Sequence, residues 1–226
     1  MQTDKIKSWD RLIEKEDERD VSLSVWRAMI EQISKDDISS AKILDFGCDR
    51  GGFLRMLYDA KPFKKAVGVE CAADKAAVAN QLRGKRPIYY GHDDELSAHK
   101  SSFDYAFSHG AVHLLPELDA HARDVYDALK PGGVYYLTTG EYAENPLWPR
   151  WYSVVYEESS LPPQNYSLND IVKSFDKAGF AVAVNRLNCH GFFSYQAGGD
   201  RYFKNPLELV RYMTEYMMVF RLERPA

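Results

Sequence analysis

From residue 42 onward, short and nearly continuous apolar runs alternate with stretches of helical periodicity. The runs are Ile43-Leu44-Asp45-Phe46, Ala66-Val67-Gly68-Val69, Pro87-Ile88-Tyr89-Tyr90, Phe103 to Phe107 and Val134 to Leu137. A strand that is apolar on both faces suits the interior of a parallel sheet covered on both sides. Between the last two runs, Leu118, Ala122, Val125 and Leu129 share one helical face, and Lys130-Pro131-Gly132-Gly133 stops the helix. Ahead of the first run, Trp26, Met29, Ile30 and Ile33 lie on one face of a helix over 20–33. The alternation predicts βαβ units and an open, doubly wound α/β sheet.

The later chain has a different texture. Residues 140–166 are rich in aromatics and proline. Ser167 followed by Asp170 reads as a reciprocal cap at a helix start, with Leu168, Ile171, Val172 and Phe175 facing inward. Gly179 ends that helix, Phe180 to Val184 reads as a strand, and Met217 to Leu222 as the final one. The chain reads as a single domain over 1–226. Its parts are a helical cap over 1–38, a ligand-binding core over 41–139, and cover segments over 140–166 and 189–216.

The most informative stretch is Asp45-Phe46-Gly47-Cys48-Asp49-Arg50-Gly51-Gly52. A buried strand enters a glycine turn and a helix follows. Glycine allows a tight turn and a close approach of backbone to ligand. In open parallel sheets, ligands bind at the carboxyl ends of the strands. Glu70 lies 23 residues beyond Gly47, at the end of the second run. A carboxylate there accepts hydrogen bonds from the ribose hydroxyls of an adenosine cofactor. Asp49 occupies the middle glycine position of a dinucleotide fingerprint. Its charge and bulk oppose a pyrophosphate at the helix start and favour a cofactor with an ammonium and a sulfonium. Asp49 capping the following helix is the plainer alternative.

With these residues in place, the chain resembles the class I S-adenosylmethionine-dependent methyltransferases. Asp45 to Gly51 is similar to the family's first motif, which implies that Asp45, Gly47, Cys48, Asp49 and Gly51 cradle the methionine part. Asp49 departs from the glycine usual there. Val67-Gly68-Val69-Glu70 resembles the second strand with its ribose-binding acid, and Cys71 beside it joins the expected cofactor contacts. Gly91 to Leu96 resembles the third motif, whose acid meets the adenine amino group. Asp93 is the first choice for that acid and Asp94 the second. Phe103 to His109 resembles the fourth strand, with Ser108 and His109 at its exit toward the methyl group. Ala128 to Val134 is similar to the lead-in to the fifth strand. The resemblance implies a seven-stranded, mostly parallel sheet with an antiparallel last strand, S-adenosylmethionine as cofactor and S-adenosylhomocysteine as product.

Methyl transfer requires an in-line nucleophile, and a base only where that nucleophile must lose a proton. His109 is the candidate base, and its reference pKa near ~6.5 predicts a pH limb close to neutrality. His113 is expected to be structural. Tyr142, Trp148, Trp151 and Tyr152 follow the fifth strand and are the candidate walls of an acceptor pocket. Phe192, Phe193 and Tyr195 form a second aromatic cluster, and Trp9 is a candidate cover for the cofactor.

Charge and cysteine content narrow the partners. The 226 residues carry 29 Lys and Arg against 33 Asp and Glu, for a formal net charge of −4. Basic residues are scattered among acids, and the Asn/Asp-Pro-Pro-aromatic motif of base-modifying methyltransferases is missing. A small-molecule acceptor is therefore expected, rather than nucleic acid. Cys48, Cys71 and Cys189 show no metal-ligand spacing, so no metal is expected. The charged N-terminal stretch and the lack of a long apolar run imply a cytoplasmic protein without a membrane span. The competing readings are a noncatalytic binding or regulatory protein on the same fold, a methyltransferase with a protein acceptor, and an NAD-dependent oxidoreductase.

Overall fold

The apolar runs pair side by side in the computed structural model, which describes residues 20–159, 161–199 and 201–226. Strand β1 (Lys42–Phe46) lies between β2 (Lys65–Glu70) and β4 (Phe103–His109), parallel to both. β3 (Ile88–His92) extends the sheet beyond β2, and β5 (Leu129–Thr139) extends it beyond β4, again in parallel. The last two strands, β6 (Ala181–Arg186) and β7 (Met218–Glu223), complete a seven-stranded sheet of order β3-β2-β1-β4-β5-β7-β6. β7 is antiparallel to both β5 and β6. The order reverses at β1, and the junction of β1 with β4 is the switch point at which such sheets bind ligands.

Helices cover both faces. On one face α1 (Asp20–Glu31) and α2 (Gly52–Ala60) bury Trp26, Met29, Phe53, Leu54 and Leu57 with Ile43 and Phe107. On the other, α4 (Leu118–Ala128) and α6 (Leu168–Ala178) bury Val125, Ile171 and Phe175 against Leu44, Tyr135 and Phe220. α3 (Ala73–Leu82) packs against the β2–β3 edge. The Ser167 cap forms as expected. Its Oγ accepts from the Asp170 N–H at 3.0 Å, and Asp170 Oδ2 accepts from the Ser167 N–H at 2.9 Å.

Several boundaries move. Helix α1 ends at Glu31, and Ile33 is buried just beyond it. Leu129 begins β5 rather than ending α4. Residues 130–133 belong to that strand as an irregularity, since the register passes from Phe103↔Leu129 to Tyr105↔Val134. Backbone pairing with Phe103 holds Leu129 in the sheet where side-chain periodicity alone continues the helix. Segment 140–166 contains α5 (Trp148–Glu158), and segment 189–216 contains α7 (Pro206–Arg211) and a π turn over Tyr212–Tyr216. Trp9 and most of the polar lead-in lie outside the described residues. Among the described residues no helix is long and apolar enough to cross a membrane.

Candidate active site

The glycine turn has two requirements with different origins. Gly47 has φ 72°, and a Cβ there would lie 2.8 Å from the Ala111 Cβ. That contact presses the turn against the loop after β4. Gly51 also has φ 72°, but a Cβ there would collide with the Tyr90 ring, whose hydroxyl donates to the Gly51 carbonyl at 2.9 Å. Gly51 thus packs the turn against β3 and does not face the ligand cavity. It is the N-cap of α2, with no side chain capping the helix. The alternative of Asp49 as the cap is therefore not what forms. Instead Asp49 sits at φ 44°, a left-handed conformation that glycine adopts without strain.

Asp49 and Glu70 are tied together. The Asp49 N–H donates to Glu70 Oε2 at 2.9 Å, and Glu70 Oε1 accepts from the Ala72 N–H at 3.1 Å and from Cys71 Sγ at 3.3 Å. The backbone thereby fixes the carboxylate, and the four acceptor positions of its two oxygens are not all used. Lys75 Nζ lies 2.5 Å from Asp49 Oδ1, with side chains only 9% and 15% exposed. This ion pair changes the electrostatic expectation. The charge of Asp49 is offset by Lys75, so bulk and backbone conformation, rather than net repulsion, oppose a pyrophosphate.

A cavity of about 380 Å³ opens over the ends of β1, β2, β4 and β5. Gly47, Asp49, Glu70, Cys71, Asp93 and His109 line it, as do Trp148 and Trp151. Other candidates stand back from it. Cys48 and Ser108 are buried and do not line it, and Asp94 points outward, 78% exposed beside His92. Tyr142 is buried elsewhere, and Tyr152 packs on Trp148 at 5.5 Å between ring centroids. Phe192 is fully exposed, and Phe193 and Tyr195 pack on the core. Asp45 lies beneath the turn. Burial, with the Glu70 charge nearby, pushes its pKa up to about 8, and Oδ2 has no hydrogen-bond partner.

At the ends of β4 and β5 the cavity changes character. His109 Nδ1 is 3.0 Å from Thr138 Oγ1, and burial lowers its pKa to about 4. The expected limb near neutrality is thus displaced well into acid, because a desolvated imidazolium is costly. His113 lies in a 3₁₀ turn over Val112–Leu114, where its ring is buried and lines the same cavity. Its Nδ1 is 3.8 Å from Glu141 Oε2, and burial lowers its pKa as well. His113 thus adjoins the site instead of serving the fold alone.

Comparison with known proteins gives the family. A family model for a methyltransferase domain matches residues 18–184. The chain belongs to the class I methyltransferases. No curated protein matches its sequence. One similar structure is a complex of the Trm112 methyltransferase activator with a methyltransferase from Haloferax volcanii. It is 17% identical, with 90% of each chain covered and a TM-score of 0.77. An S-adenosylmethionine-dependent methyltransferase from Mesorhizobium loti is 18% identical, with 89% of this chain and 98% of that one covered and a TM-score of 0.68. The [4+2]-cyclase SpnF is 17% identical, with 91% and 81% covered and a TM-score of 0.66. At these identities the likeness shows the fold, which by itself does not fix a reaction.

In this class I methyltransferase the cavity is also lined by residues that the sequence did not single out. Lys75, Glu141, Tyr202, Phe203 and Tyr212 all line the cavity. Lys75 sits in the first turn of α3, where a lysine reads as an ordinary surface charge. Glu141 follows β5 by two residues, a position on the ligand side of the sheet that was available as a signal. Tyr202, Phe203 and Tyr212 come from segment 189–216 and reach the cavity because Arg150 and Trp151 of α5 hold the Tyr202 carbonyl, Trp151 Nε1 donating at 2.7 Å. Among the described residues no group of three or more His, Cys, Asp and Glu side chains is placed to hold a metal.

Proposed function

We propose that the protein transfers the methyl group of S-adenosylmethionine to a small-molecule acceptor without a metal. The observation that carries this reading is one cavity with two unlike lobes, an acidic one at the adenosine end and an aromatic one beyond β4 and β5. The residues fit the cofactor. Glu70 is held to receive ribose hydroxyls, Asp93 to meet the adenine amino group, and Gly47 to let the turn pass close to the methionine part. Asp45 is buried beneath the turn and does not line the cavity, Cys48 and Gly51 shape the turn from behind, and Ser108 is buried at the end of β4. Asp49 and Lys75 form a carboxylate–ammonium pair of the kind that complements an amino acid's own ammonium and carboxylate. When bound, the cofactor supplies an electrophilic methyl on a sulfonium.

His109 is a positioning residue in this reading. Its ring stays neutral at physiological pH, with Thr138 holding one nitrogen. Trp148 and Trp151 wall the acceptor side, Tyr152 supports Trp148 from outside the cavity, and Tyr142 is buried away from it.

Calorimetry with S-adenosylhomocysteine tests the cofactor site directly. One site per chain is expected, and no binding at millimolar ligand would overturn the reading. Mass spectrometry of the products formed from S-adenosylmethionine with a panel of acceptors tests the transfer. Binding without any methylated product would favour the noncatalytic alternative.

A further inference from the structure

The two lobes differ in how their carboxylates are balanced. In the first lobe Asp49 is paired with Lys75. In the second lobe the carboxylate is Glu141, and only neutral donors hold it. Tyr212 Oη donates to Oε1 at 3.2 Å, and the Gly140 N–H and Thr139 Oγ1 approach Oε2 at 3.0 and 3.3 Å. Among the described residues no lysine or arginine is paired with it. The His113 and His109 rings lie close enough to feel its charge, and burial lowers the pKa of both. Neutral donors orient a carboxylate but leave its charge to be met by something else.

The surroundings of Glu141 suit a cation. Trp151 packs edge-on against Tyr212 and Phe203, with ring centroids 4.8 and 5.3 Å apart, and Phe203 lies 5.5 Å from Tyr212. All three rings line the cavity with Glu141. Aromatic faces attract ammonium groups, most strongly where water is excluded.

We propose that the acceptor is a cationic amine, seated with its ammonium between Glu141 and the rings of Trp151, Phe203 and Tyr212. The proposal rests on the first lobe being the cofactor site. An ammonium with an N–H must shed one proton before its nitrogen becomes a nucleophile. That N–H bond breaks, the electron pair stays on the amine nitrogen, and the proton passes to the neutral His113 imidazole. The resulting imidazolium stands 3.8 Å from the Glu141 carboxylate, which stabilises it.

Choline and 3,3-dimethylbutan-1-ol make the test, because they share a shape and differ in charge. Calorimetry is run with each on the full chain saturated with S-adenosylhomocysteine. Choline should bind at least about tenfold more tightly than the neutral alcohol. Glu141→Gln should bring the two within roughly threefold while leaving S-adenosylhomocysteine affinity in place, and Tyr212→Phe should weaken choline by less. Equal affinities in the natural protein, no binding of choline, or a preference that survives Glu141→Gln would each overturn the proposal. The comparison in the natural protein stands even where a variant fails to fold. Loss of S-adenosylhomocysteine binding, with the choline preference intact, would instead strike the cofactor reading.

Discussion

The two lobes of the cavity are built in opposite ways. The lobe proposed to hold the cofactor comes from consecutive strand ends. Gly47 and Asp93 come directly after β1 and β3, and Glu70 is the last residue of β2. The lobe proposed to take the acceptor is gathered from His113, Glu141, α5 and the distant Tyr202, Phe203 and Tyr212. The first lobe is polar and fixed by the backbone, through the Asp49 and Ala72 N–H groups on Glu70. The second is aromatic and fixed by side-chain packing. A strand end places its next residue with little freedom, so the first lobe can serve one cofactor across a family. Packed side chains are replaceable, and the second lobe can change with the acceptor.

The sharpest way to break this comparison is to disturb the charge balance of the first lobe. Lys75→Met leaves the half-buried Asp49 carboxylate at the cavity wall without its ion-pair partner and should destabilise the protein by about 1–3 kcal/mol. Adding Asp49→Gly should recover most of that loss, since it removes both the orphaned charge and the left-handed aspartate. Urea unfolding of the single and double variants decides it. Equal stability of Lys75→Met and the natural protein would show that the pair contributes little.

Next in size is Glu70→Ala, which on the proposed reading removes the acceptor for two ribose hydroxyls. Charge-assisted hydrogen bonds are worth roughly 1.5–3 kcal/mol, so S-adenosylhomocysteine affinity should fall about 10- to 150-fold by calorimetry. An unchanged affinity would move the ribose elsewhere.

The buried titratable groups yield a smaller effect spread over pH. His109 and His121 have folded pKa values of about 4 and about 3, below the ordinary value of 6.5. Their contribution is complete above pH 6.5 and is lost as pH falls toward the folded values. Asp45 acts in the opposite sense. Its folded pKa is raised to about 8, so its contribution is present below its ordinary value of 3.8 and is lost as pH rises through 8. Each proton changes stability by about 1.4 kcal/mol per pH unit in its window. Two histidines outweigh one aspartate below pH 6.5, and the aspartate acts alone above it. Stability of the cofactor-free protein should therefore peak near pH 6.5, and Asp45→Asn should flatten the alkaline side. Urea unfolding at pH 5, 6.5 and 8 checks this, and a maximum at pH 8 would refute it.

The smallest expected change concerns His109 and sharpens the contrast with His113. If His109 only positions the acceptor, His109→Ala should raise KM more than it lowers kcat, with no loss of a limb between pH 6 and 7. Steady-state kinetics at several pH values separate this from a base, whose removal costs roughly 10²–10⁴ in kcat.

The alternation of apolar runs and helical periodicity, read along the chain, determined the sheet and the Ser167 cap, the family resemblance implied the antiparallel final strand, and the glycine turn, Glu70 and Asp93 were legible as strand-end positions. These features depend on interactions within a few residues or on one strand end leading into its loop, so they leave a local signature. The tertiary structure alone decided that Gly51 answers to Tyr90, that Asp49 is paired with Lys75, and that Asp94 turns outward while Asp93 turns in. It also decided that Tyr202, Phe203 and Tyr212, rather than Phe192, Phe193 and Tyr195, reach the cavity. Each of these depends on which distant side chains share a space and on how much water is excluded from it. Burial moved His109 to about 4 by the same means, since the desolvation of an imidazole is set by everything packed around it and by nothing adjacent in sequence.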